Sequence, residues 1–97
     1  MARYIALIDW TDQGVQNFKS SVDRYDAAAA LLRSKGVDFV DVYWTLGGHD
    51  LVAILEAPDD QILAAGMLAI SSQGNLRSTT LRAFTADEMR DVIGKVG

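Results

Sequence analysis

No cysteine occurs in the 97 residues, which removes disulfides, thiolate zinc sites and cysteine nucleophiles together. Histidine occurs once, as His49, so the spaced ligand clusters of a zinc site are missing and no metal is expected. The nine Lys and Arg residues are scattered, and the net charge is −4. Phosphate backbones are held by dense cationic surfaces, so nucleic acid is excluded as the main partner. Apolar runs are short. None approaches the roughly 18–20 residues needed to cross a bilayer, and no membrane partner is expected. Met1 to Trp10 hold one basic residue and an apolar stretch that Asp9 ends too early for a signal peptide, so a cytoplasmic protein is expected. Gly47-Gly48 lacks the lysine and helix that follow a phosphate-binding loop, and no cofactor is expected.

What is present is globular: 49% of the residues are apolar and 23% charged, a balance that supports a core rather than disorder. Ninety-seven residues make one domain. A domain of this size buries only about 60–65% of its unfolded surface, so a further face buried in an oligomer is a natural supplement.

Tyr4 to Ile8 reads as a buried strand. Thr11 suits a helix N-cap and Asp12 the first turn. Val15, Phe18, Val22, Tyr25, Ala29 and Leu32 then recur every three or four residues as one apolar face, and Lys35-Gly36 closes the segment. This spacing predicts one long helix over 12–35. Gly14 is a weak point in it and marks a close approach to something. Phe39 to Thr45 alternates as a strand, Gly47-Gly48 turns the chain, and Leu51 to Leu55 is an uninterrupted strand covered on both faces. Pro58 suits the first turn of a second helix, expected over 59–73, with Leu63, Met67 and Ile70 as its stripe. Leu76 to Phe84 alternates again, and Thr85-Ala86-Asp87-Glu88 is a capping box opening a short terminal helix.

The order strand, helix, strand, strand, helix, strand, helix predicts an α+β fold: a ferredoxin-like βαββαβ sandwich with an extra C-terminal helix. Right-handed crossovers place both long helices on one face of a four-stranded antiparallel sheet. The other face is then bare, although the first and third strands carry apolar residues on both sides. A large exposed apolar face requires cover on a soluble chain. Ala6, Ile8 and alternate residues of the third strand are expected on that uncovered face, closed by a second sheet in a homodimer.

Together these residues resemble the GYD-domain family, small proteins of unassigned biochemical function with a dimeric α/β-barrel type of fold. The resemblance spans most of the chain. It rests on Thr11, Gln13, Gly14 and Arg24 at the first helix, and on Gly48-His49-Asp50-Leu51-Val52 at the family's name-giving position. It continues through Ala57-Pro58-Asp59, Gln73-Gly74-Asn75-Leu76-Arg77 and Thr80-Leu81-Arg82-Ala83-Phe84. One position departs: the family's central tyrosine is His49 here, so any role of a phenol falls to an imidazole. The resemblance implies a single GYD-like domain over residues 1–97 and a homodimer or higher homo-oligomer. It implies no activity.

His49 beside Asp50 is the one place where a group that titrates near neutral pH adjoins a carboxylate. Two readings stand: His49 as general base or ligand partner, or His49 as a turn residue with Asp50 bonding backbone amides. Trp10, Tyr43 and Trp44 end strands, where aromatics line pockets or anchor interfaces. Arg24, Arg77 and Arg82 suit an anionic ligand or ordinary surface ion pairs. The expected site, if a pocket is present, is therefore Trp10, Tyr43, Trp44 and His49 near the strand ends, with Arg77 as anion partner. Three functions remain open: a small-molecule-binding or regulatory homodimer, a cofactor-free enzyme using His49 as acid-base group, and a purely structural assembly protein. The first is favoured.

Overall fold

Four runs rich in β-branched and aromatic residues form strands β1 (Ala2–Trp10), β2 (Asp38–Trp44), β3 (Leu51–Ala57) and β4 (Leu76–Ala83). The structure, a computed structural model, describes residues 1–97. The strands make one sheet in the order β2-β3-β1-β4, every neighbouring pair antiparallel. This is the expected ferredoxin-like arrangement. The two most apolar strands, β1 and β3, sit at its centre, and β2 bulges at Val40 between Phe39 and Asp41.

Helices α1 (Asp12–Gln16), α2 (Ser21–Ser34), α3 (Asp60–Ser71) and α4 (Ala86–Gly94) complete the chain. The capping signals read from the sequence are made. Thr11 accepts from Gly14 N, and Thr85 and Glu88 form a reciprocal capping box. Asp59, expected inside the second helix, is instead its N-cap and accepts from Ile62 N. Gly36 takes a φ of +90° after α2, a left-handed conformation that favours glycine. Pro58 lies one residue before the α3 N-cap rather than in its first turn.

Two expectations change. The single helix over 12–35 is broken: α1 ends at Gln16, a 3₁₀ turn covers Phe18–Ser20, and α2 begins at Ser21. The cause is distant in sequence. Thr11 N donates to Asn75 O (3.1 Å), and a Cβ on Gly14 would lie 2.0 Å from that same oxygen. This docks α1 against the α3–β4 turn and sets its direction apart from that of α2. Val15, Phe18 and Val22, the early part of the supposed core stripe, are consequently about half exposed.

The second correction concerns the sheet faces. Tyr4, Ala6 and Ile8 of β1 and Leu51, Ala53, Leu55 and Ala57 of β3 are the buried set, packed with Leu32, Val37, Leu63, Met67 and Ile70. Ala6 and Ile8 therefore lie under the helices and not on the uncovered face. Small side chains decide it, because Ala6 and Ala53, both with 0% exposure, let the helices approach closely. Gly66 does the same between helices: a Cβ there would sit 2.8 Å from Leu32 Cδ2. By strand alternation the helix-free face carries Ile5, Leu7, Val52 and Ile54, with Leu81 paired to Ile5. No helix packs on it, and Ile5, Leu7, Val52 and Ile54 are half-buried there among their own strand neighbours. Helix α4 buries none of its residues, and the molecule measures 51 × 30 × 17 Å, thin across its two layers.

Candidate functional site

The strand ends at Trp10, Trp44 and Leu51 hold two distinct surfaces, because alternation sends neighbouring side chains to opposite faces. On the helix side, a cleft opens between α2 and the sheet. Its walls include Ile8, Trp10, Tyr25, Phe39, Leu51 and Leu76, and Arg24 and Asn75 stand at polar positions. The cleft opens to solvent at its mouth and is lined mainly by apolar side chains. Tyr25 organises one wall, meeting Phe39 and Trp44 edge to face at 5.2 and 5.8 Å between ring centres. The indole Nε1 of Trp44 donates to the buried Ser21 Oγ at 2.8 Å, which fixes that ring against the start of α2.

On the opposite face, the polar residues gather at one end of the apolar sheet. His49 Nδ1 lies 3.1 Å from Asp9 Oδ1, both side chains half exposed. Arg77 is the cross-strand neighbour of Asp9. The Tyr43 hydroxyl donates to Asp41 at 2.7 Å; that bond, then the charge of the carboxylate, raises the phenol above its ordinary value. Asp50, the sequence neighbour of His49, turns away and accepts from Trp10 N at 2.8 Å. The hairpin is closed by Thr45 N bonding Asp50 O at 2.8 Å and by Thr45 Oγ1 bonding His49 O at 2.5 Å.

The five residues singled out from the sequence are thus divided. Trp10 lines the cleft, Trp44 braces its wall, and Tyr43, His49 and Arg77 belong to the other face. Sequence reasoning missed Asp9 as the partner of His49. The available signal was that β1 must end beside the start of β3, which brings Asp9 to the hairpin. It also passed over Tyr25 as a wall residue, placing it in a core stripe. No group of three His, Cys, Asp or Glu side chains converges as a metal site would, and no helix is long and apolar enough to cross a membrane.

A curated relative, the glutamine synthetase and cystathionine beta-lyase binding protein of Thermus thermophilus, is 31% identical over 90 residues. The match covers 92% of this chain and 95% of the relative. The crystal structure of TTHA0845 from Thermus thermophilus superposes with a TM-score of 0.58 at 25% identity, covering 89% of this chain and 96% of that one. The profile of the GYD domain matches residues 4–93, nearly the whole sheet-and-helix unit described above, and the chain accordingly belongs to the GYD-domain family.

Proposed function

We propose that this chain is a small regulatory binding protein that works as a homodimer of the dimeric α/β-barrel type and docks on metabolic enzymes. The observation that carries the reading is the helix-free sheet face. Ile5, Leu7, Val52 and Ile54 form its apolar centre, and Asp9, His49, Arg77 and Tyr43 form a polar rim at one end. An apolar centre with a polar rim is the anatomy of a protein interface, and two such faces closing on each other make the barrel. Helix α4 supports the same reading, because Met89, Val92 and Ile93 are exposed along a nine-residue helix that is marginal alone in water, and Val96 is exposed just beyond it. The enzyme partners are suggested by the name of the Thermus thermophilus relative, which is that of a binding protein for two enzymes.

Sedimentation tests the dimer. The parent is expected at twice the chain mass of 10.5 kDa and Ile54→Glu at the chain mass, with circular dichroism retained. Surface binding of glutamine synthetase and cystathionine beta-lyase from the same cell tests the partners. A monomeric parent at micromolar concentration, together with no binding to either enzyme, overturns the reading.

A second reading is favoured by the His49–Asp9 pair alone: an acid-base dyad at the rim of the barrel. In it Tyr43, His49 and Arg77 contact a ligand across the dimer, while Trp10 and Trp44 face the cleft on the other side of the sheet. His49→Ala then abolishes turnover or weakens ligand binding while dimerisation is kept.

A further inference from the structure

We infer that the cleft under α2 binds a small organic acid with a flat apolar body, its carboxylate held by Arg24. This site lies on the face opposite the proposed interface and stands or falls independently of it. Arg3, Arg33, Arg82 and Arg90 are each paired with an acid, Glu56, Asp38, Glu88 and Asp87 in turn. Arg24 and Arg77 are paired with none, although the chain carries 13 Asp and Glu residues, and of these two only Arg24 lines the cleft. Its guanidinium donates to Asn17 O at 2.7 Å, Ser20 Oγ at 3.0 Å and Gly14 O at 3.0 Å.

These bonds use three of the five N–H donors of a guanidinium, and all three acceptors are neutral. The break between α1 and α2 therefore fixes the cation in position without neutralising it, and two donors remain. A fixed, half-buried cation with spare donors is preorganised for a carboxylate. The neighbouring walls, from Trp10, Tyr25, Phe39 and Leu51, call for an apolar body that meets aromatic edges. The Tyr25 hydroxyl makes no hydrogen bond within the chain and can serve as a further polar contact.

The test titrates 3-phenylpropionate into the full chain, read by calorimetry and tryptophan fluorescence, with 3-phenylpropionamide as the neutral control. The acid is expected to bind about tenfold to a hundredfold more tightly than the amide. Arg24→Lys keeps the charge but loses the planar fork, and should weaken the acid about tenfold while leaving the amide unchanged. Because Arg24 also braces the helix break, Ala28→Phe is the second variant; it puts a ring into the cleft while leaving Arg24 in the chain, and should abolish binding of both probes. Equal affinity for acid and amide, no binding of the acid at millimolar concentration, or undiminished binding in Ala28→Phe overturns the proposal. Each of these outcomes leaves the sedimentation result for the dimer untouched.

Discussion

Gly14 and Tyr4 are the two residues whose chemistry has least freedom. A side chain on Gly14 would meet the Asn75 carbonyl oxygen at 2.0 Å, and that backbone cannot swing aside as a side-chain tip can. Gly14→Ala should therefore cost about 1–3 kcal/mol, the range for overpacking, measured by denaturant unfolding. Gly66→Ala should cost less, because the atom it meets is the flexible end of Leu32. Tyr4 donates its hydroxyl to Asp60, and burial first, then that bond, raises its pKa. A group raised in the folded state stabilises fully below its unfolded pKa. Stability should hold up to about pH 10 and fall as pH rises beyond it, and Tyr4→Phe should flatten that alkaline loss in thermal melts. At this scale the sequence marked Gly14 as a close approach, since a glycine early in a helix needs a reason. It did not reveal that His49 answers to Asp9, because that pairing depends on where β1 ends against the hairpin.

The elements were legible wherever local chemistry alone decides them. Caps at Thr11 and Thr85 were readable, and so were the glycine stop at Gly36 and the four strands, two by alternation and two as short apolar runs. The break after Gln16 was not, because its cause sits on the α3–β4 turn; Gly14 marked a weak point, and the periodic stripe outweighed it. Arg24 then donates to the carbonyls of Gly14 and Asn17 at the broken helix, where Asn17 O also accepts from Ser20. Helix α4 is the element most dependent on its caps, since nothing in the chain packs over it. Thr85→Ala should lower its helicity and cost about 1 kcal/mol of helix stability, seen as lost amide protection over residues 86–94. Glu88 is held below the ordinary carboxylate value, chiefly by the backbone N–H of Thr85. Its contribution is present above the unfolded value near 4.5 and disappears as pH falls through the folded one. Chemical shifts of α4 should therefore move toward coil on acidification, and Glu88→Gln should remove most of that pH dependence.

For the whole molecule, the number of layers was legible and the choice of covered face was not. Strands β1 and β3 are apolar on both sides, so periodicity separates two faces without saying which one receives the helices. The answer lay in side-chain size, with Ala6 and Ala53 beneath the helices and Ile5, Leu7, Val52 and Ile54 outside. If the outer set closes a dimer, melting temperature should rise with protein concentration, as for any chain whose folded form is stabilised by its partner. Ile54→Glu should remove that dependence. The ties at the α1 end have a consequence of another kind. Thr11 and Gln13 bond Gly74, Gln73 and Asn75 across separations of 60 to 63 residues. Contacts this remote wait on loop closure, so they form only after β4 has reached the edge of β1. Residues 11–17 should show φ-values near zero and exchange their amide protons ahead of the central strands. The segment that shapes the cleft is thus expected to arrive late on the folding path and to open before the central strands do.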